Sequence, residues 1–232
     1  MRPMRGVLVC SLSLLSVCLL ACQRITGPSG PEVLLVNAVD PDSVNAVSLF
    51  RSCVGHAFPQ PSSPNAGKNY FWPNSTNFST TDQLREYAAC DGTMRQDSSD
   101  TSADQRDRGQ TVHLYCDASS TRLRYFHLNF PPSLVGRHVQ AGELLGYASM
   151  VGRGQLPERA WYYSSNFDIA VSDGDYRRTD NYFARLSPAA FAAWGARGLT
   201  AVSQTNDGAN PTCSSYSSDV GGPGILQLSP PR

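Results

Sequence analysis

The chain has no excess of either charge: 19 lysines and arginines stand against 19 aspartates and glutamates in 232 residues. Bulk electrostatics therefore give no reason to expect nucleic acid or a strongly acidic ligand as a partner. Histidine is scarce. The four present, His56, His113, His127 and His138, lie at no mutual spacing that a metal site uses. The seven cysteines include no C-x-x-C pair, which removes zinc-ribbon and thioredoxin-type readings. No internal repeat and no nucleophile-elbow motif is present. No apolar run reaches the roughly 18 residues expected of an ordinary membrane-spanning helix.

What the chain has instead is an export signature. Arg2 and Arg5 precede an apolar run over residues 6–20, which closes in Leu19-Leu-Ala-Cys22. That ending resembles a bacterial lipobox. It implies cleavage before Cys22 and acylation of the new N-terminal cysteine, the alternative being an ordinary signal-peptide cut near Ala21. Residues 1–21 then form a lipoprotein signal peptide and residues 22–31 a tether. One β-rich domain spans residues 32–222, and residues 223–232 form an irregular tail. By resemblance to Gram-negative lipoproteins, the expected location is the outer membrane, facing the periplasm or the cell surface.

The 19 glycines and 16 prolines suit a turn-rich β protein. Residues 33–39 read as a first strand and 48–58 as strand-like. Residues 81–89 read as a short turn of helix, and the turn at Asp91-Gly92 leads into a strand. Residues 98–109 are polar throughout and read as a surface loop. Residues 111–116 and 124–130 read as strands, the second with Phe126, Leu128 and Phe130 alternating with His127 and Asn129. Two short glycine-bounded strands follow within residues 135–146, and another strand lies at 162–171. The clearest helix is Ser187-Pro-Ala-Ala-Phe-Ala-Ala-Trp-Gly195, with Ser187 as N-cap, Pro188 at the first helical position and a terminating glycine. With Cys22 acylated and Cys10 and Cys18 removed, Cys53, Cys90, Cys116 and Cys213 remain. An even number in an oxidising compartment points to two disulfides, with three connectivities open.

Five pieces occur in a familiar order: Arg51-Ser-Cys-Val-Gly-His56, Asp91-Gly-Thr-Met94, Gly109-Gln-Thr-Val-His-Leu-Tyr-Cys116, Tyr125-Phe-His-Leu128 and the Val139-Gln-Ala-Gly-Glu-Leu-Leu-Gly146 hairpin. Together they resemble the lysostaphin-like (LytM-type) zinc peptidoglycan endopeptidases, most strongly over residues 50–175. The resemblance implies a mainly β fold, a compact antiparallel sheet or sandwich-like domain of the duplicated-hybrid-motif kind, here with a short C-terminal helix. It also implies Cys90–Cys116 as one disulfide, which leaves Cys53–Cys213 as the other.

The same resemblance points to a missing metal site. The family holds zinc through His-x-x-x-Asp and the second histidine of His-x-His. Here Asn69 and Pro73 stand at the first motif, and Ser164 and Asn166 replace both histidines of the second. His127 is the only family active-site residue retained, so no metal or other cofactor is expected. His127 reads either as a remnant lining a groove or as a half-buried strand histidine. Asn69, Ser164 and Asn166 read either as a polar groove with it or as substitutions left by drift. A Ser164–His127–Asp168 nucleophilic set can be written but has no supporting motif. Two aromatic groups, Tyr70-Phe71-Trp72 and Trp161-Tyr162-Tyr163, are candidates for sugar stacking or for core packing. The resulting expectation is a non-catalytic envelope lipoprotein that binds peptidoglycan or a cell-wall hydrolase and is held to the membrane by its lipid. The alternatives are an active metalloendopeptidase and a purely structural envelope protein.

Overall fold

A computed structural model describes residues 33–52, 54, 67–74, 84–96, 109–149, 166–174, 179–205 and 224–231. Among these residues the chain is mainly β and antiparallel. The strands are β1 (Val44–Ser48), β2 (Asn69–Pro73), β3 (Arg85–Tyr87), β4 (Gly92–Arg95), β5 (Gln110–Cys116), β6 (Thr121–Asn129), β7 (His138–Val139), β8 (Leu144–Ala148), β9 (Phe167–Asp173), β10 (Thr179–Asp180) and β11 (Ile225–Gln227). They form one sheet in the order β11-β1-β2-β9-β6-β5-β4-β7. β10 hangs on β9, and a branch runs from β6 through β8 to β3.

The sheet's two faces differ because the side chains of a strand alternate. In the β2–β9 pair Asn69 lies opposite Ile169 and Tyr70 opposite Asp168. Phe71, Phe167, Ile169 and Val171 all belong to the main core, together with Leu123 and Tyr125 of β6. The intervening positions, Tyr70 and Trp72 on β2, join a small separate cluster with Ala46, Val54 and Ile225. The main core is closed by helix α1 (Pro188–Gly195) and by the 3-10 turn Tyr182–Arg185. Phe71 stacks on Phe167 with ring centroids 5.2 Å apart, and the Phe183 ring meets Trp194 edge-on at 5.1 Å. Offset and edge-on ring pairs of this kind add about 1 kcal/mol each beyond the area they bury.

α1 starts where its sequence says. Ser187 Oγ accepts from the Ala190 amide at 3.2 Å, and Pro188 needs no amide partner at the first helical position. Phe191 and Trp194 are fully buried, and the Trp194 indole donates to Asn37 Oδ1 at 2.7 Å. Arg197, just beyond the helix, is buried and gathers the chain's distant ends. Its Nε donates to Ser229 O at 2.6 Å, its Nη2 to Val44 O at 2.7 Å and its Nη1 to Pro41 O.

Cys90 and Cys116 are bonded, with Cα atoms 5.7 Å apart. The bridge fastens the turn before β4 to the end of β5, where Gly92 pairs with Cys116. Cys53 and Cys213 lie outside the described residues.

Several local expectations are corrected. Residues 33–39 form single bridges, Leu34 to Leu186 and Val39 to Glu86, instead of a strand. The strand in that region is β1, and the chain turns after it at Arg51 (φ 61°). The described part of 81–89 is β3, not helix: Arg85 and Glu86 pair with Tyr147 and Gly146 on β8. On its other side β8 pairs with β6, where Gly146 permits the close approach, since a Cβ there would sit 2.0 Å from Asn129 O. The stretch expected as an irregular tail supplies β11, which pairs with β1.

Candidate functional site

The strand carrying His127 alternates in a different phase from the one its sequence suggests. Leu123, Tyr125 and Leu128 are buried, whereas Phe126 and His127 are both only partly covered. The reason is a bulge. Gln110 pairs with Leu128 and Val112 with Tyr125, so β6 carries one residue more than β5 between the two pairs. His127 absorbs the extra residue at φ 58°, a left-handed conformation that costs a non-glycine residue on the order of 1 kcal/mol. Gly109 (φ 73°) makes room, because a Cβ there would lie 2.4 Å from the His127 carbonyl carbon. The His127 carbonyl in turn accepts from the Ser149 amide at 2.5 Å.

The bulge leaves the imidazole half-exposed beside Asp168, with His127 Nε2 3.6 Å from Asp168 Oδ1. The other carboxylate oxygen, Oδ2, accepts from Lys68 Nζ at 2.5 Å. Lys68 also sits 3.6 Å from the centroid of the Phe126 ring, so its ammonium rests on an aromatic face while it holds the carboxylate. Asp168 is almost fully buried, and its charge is compensated within the site. A histidine beside a carboxylate is the base-and-orienter half of a nucleophilic set. Here the lysine shares that carboxylate, and Ser164 lies outside the described residues. The arrangement presents an imidazole, an ammonium and an aromatic ring to a ligand with hydrogen-bonding groups.

Behind this site, in the core, lies Glu86, fully buried, with neither carboxyl oxygen hydrogen-bonded among the described residues. Burial first, and the Asp168 charge second, push its carboxyl well above the usual carboxylate range. The neighbouring Tyr125 and Tyr182 hydroxyls are also pushed up by burial. Tyr125 donates to Tyr87 O and Tyr182 accepts from the Ala38 amide.

The structure separates residues that the sequence grouped. Asn69 is on the core side, 1% exposed, with its Oδ1 accepting from the Tyr182 amide at 2.9 Å. It braces the 3-10 turn and lines no groove. Asn166 is buried just before β9. Tyr70, Phe71 and Trp72 are all buried, so core packing claims them; residues 161–163 lie outside the described residues. His138 is exposed on Asp117, 2.6 Å away, and that carboxylate holds its imidazole pKa above the ordinary value. His113 is buried on β5, and His56 lies outside the described residues.

The zinc that the family resemblance implies does not fit the donors in place. Asn69 has spent its carbonyl on a backbone amide, Asp168 is neutralised by a lysine, and His127 is the one imidazole at the site among the described residues. Lys68 and the burial of Asp168 were missed in the sequence. Their signal lies in the strand pairing, which brings Tyr70 opposite Asp168 and so carries Lys68 to the same face. A separate open groove of about 480 Å³ lies at the end of β6, lined by Phe130, Leu134, Leu144 and Tyr147, but it does not include His127.

No protein-family model matches the sequence, and no curated protein matches it. Among solved structures, the chain is similar to the antimicrobial peptidase lysostaphin from Staphylococcus simulans, with TM-score 0.40 and 14% identity over 78% of this chain and 60% of that one. It is similar to a zinc-containing peptidase from Vibrio cholerae, with TM-score 0.34 and 16% identity over 66% of this chain and 40% of that one. It is also similar to the metalloprotease pseudoalterin, with TM-score 0.37 and 16% identity over 66% of this chain and 75% of that one. The chain thus spans less than two thirds of lysostaphin and of the Vibrio peptidase. At such scores and identities no activity transfers to it. Its structural neighbours are lysostaphin and peptidases of the M23 family.

Proposed function

We propose that this chain is a cell-envelope protein with a lysostaphin-like domain that binds peptidoglycan without cutting it by zinc chemistry, and that it is exported and anchored through acylated Cys22. The observation that carries the reading is the Lys68–Asp168 pair beside His127. A fixed ammonium within a hydrogen bond of the carboxylate repels a second cation and leaves no spare ionised carboxylate at the site among the described residues. The same groups, with Phe126, suit the amides, carboxylates and sugar hydroxyls of a wall glycopeptide. The lipobox-like Leu19-Leu-Ala-Cys22 supports the anchor.

Two measurements on the purified chain test the reading. Co-sedimentation with purified sacculi is expected to recover the protein, and release of soluble fragments from those sacculi is expected to stay at background when zinc is added. Zinc-dependent release that a chelator abolishes would replace this reading with that of an active endopeptidase. Failure to sediment with sacculi, and an unchanged result for His127→Ala, would leave a structural envelope protein.

A further inference from the structure

We propose that Glu86 is the latch of a local switch: with its carboxyl protonated the branch made of β3 and β8 stays closed on β6, and ionisation of that carboxyl opens the branch and frees His127. The switch does not depend on what the His127 site binds.

The branch is lightly held. β3 is three residues long and reaches the sheet only through β8, whose pairing to β6 is confined to Leu128 with Ala148 and Asn129 with Tyr147. The β3–β8 register also shifts between Glu86 and Tyr87, which interrupts the ladder. Four backbone bonds close the branch. The amides of Tyr87 and Ala88 donate to Ala38 O and Glu143 O, and those of Ala148 and Ser149 donate to Leu84 O and His127 O. The last of these bonds reaches the bulge itself. When β8 leaves β6, the His127 carbonyl loses the Ser149 amide, and relaxation of the left-handed His127 (φ 58°) carries its imidazole away from Asp168. The Cys90–Cys116 bridge stops the opening at residue 90, so the core under α1 keeps its packing.

Glu86 lies at the centre of the branch, opposite Gly146 of β8 on one side and Val39 on the other. Alternation along β3 turns it inward and leaves Arg85 exposed. It is fully buried, and neither carboxyl oxygen is hydrogen-bonded among the described residues. The titratable groups that act on it are Asp168 from β9, Tyr125 from β6 and Tyr182 from the 3-10 turn. Gly146 has no side chain, and Ala38 and Val39 are apolar. None of these supplies a positive charge, and Lys68 is held by Asp168. A buried carboxylate without a counter-charge is costly, so Glu86 is a neutral acid while the branch is closed and ionises when water reaches it. Burial keeps both tyrosine hydroxyls neutral throughout. The carboxyl pKa is raised in the closed branch and ordinary in the open one. Closure is therefore favoured in full below about pH 4.3 and weakens as pH rises towards the closed-state value.

The test follows amide hydrogen exchange by NMR on the full chain in detergent, corrected for the intrinsic pH dependence of exchange. The Tyr87, Ala88, Ala148 and Ser149 amides are expected to be at least tenfold less protected than the Phe191 amide of α1. Their protection should fall together, by up to about tenfold per pH unit above pH 5, and then level off. In Glu86→Gln it should be flat with pH, and the apolar Glu86→Met serves the same purpose should the amide variant not fold. Protection in the wild type that does not change with pH, or that changes equally in the Glu86 variants, overturns the proposal. So does one shared protection factor for the branch and Phe191, which would mean global unfolding. A fall confined to Tyr87 and Ala88, with Ser149 unmoved, overturns the link to His127 and with it the switch.

Discussion

One sheet presents two faces that obey different chemistry. The core face is aromatic and aliphatic and sealed by α1; Asn69 there is committed to the Tyr182 amide, whereas Glu86 is buried with neither carboxyl oxygen hydrogen-bonded among the described residues. The other face mixes partly exposed cations with rings and also holds buried polar residues, Asp168, His113 and Ser172 among them. The same backbone serves both, so the difference is set by which residues fall on odd and even positions. Stability is concentrated on one side, which frees the other to vary.

Breaking that contrast on the core side has the largest effect. Trp194→Ala removes a fully buried indole and is expected to cost about 4 kcal/mol, read as a lower urea midpoint. The conservative exchange Arg122→Gln on the other face should move the same midpoint by less than about 0.5 kcal/mol. Next comes the one buried charge of the outer face. Asp168→Asn leaves the Lys68 ammonium without its counter-charge and is expected to cost about 3 kcal/mol, with Lys68→Met/Asp168→Asn recovering much of the loss. Removing the bridge by Cys90→Ala/Cys116→Ala opens a loop with a sequence separation of 26 and should cost about 3 kcal/mol.

Glu86 makes a smaller, pH-dependent test. Its folded pKa is raised, so the stability it contributes is complete below the unfolded value near 4.3 and is lost as pH rises towards the folded value. The slope across that window is at most about 1.4 kcal/mol per pH unit. Glu86→Gln should flatten the profile and leave the variant more stable than wild type at neutral pH. The smallest effect is at the surface. Asp117→Asn should return the His138 titration, followed by NMR, towards its ordinary value and leave the melting temperature unchanged.

Much of the fold was legible because local rules and tertiary packing agreed. Ser187-Pro188 capped the helix as written, and 111–116 lies within β5. Where they disagreed, long-range pairing won. Residues 84–87 have helix-forming side chains, but β8 and the bridge from Val39 hold them extended. The phase of the His127 strand was misread because a bulge has no periodicity. Its only trace in the sequence is Gly109, eighteen residues upstream, whose missing side chain accommodates the kink. The Lys68–Asp168 contact spans 100 residues and becomes visible only once strand neighbours are known.

Arg197 has a mechanical consequence. Its guanidinium grips carbonyls from residues 41 and 44 and from residue 229, so the beginning and the end of the folded body are clasped by one side chain. A tug on the N-terminal side of residue 33 would not peel the first strand away alone. The bridges of Leu34 and Val39 would take the load first, and once they give the clasp shares it with the final strand and the helix behind it.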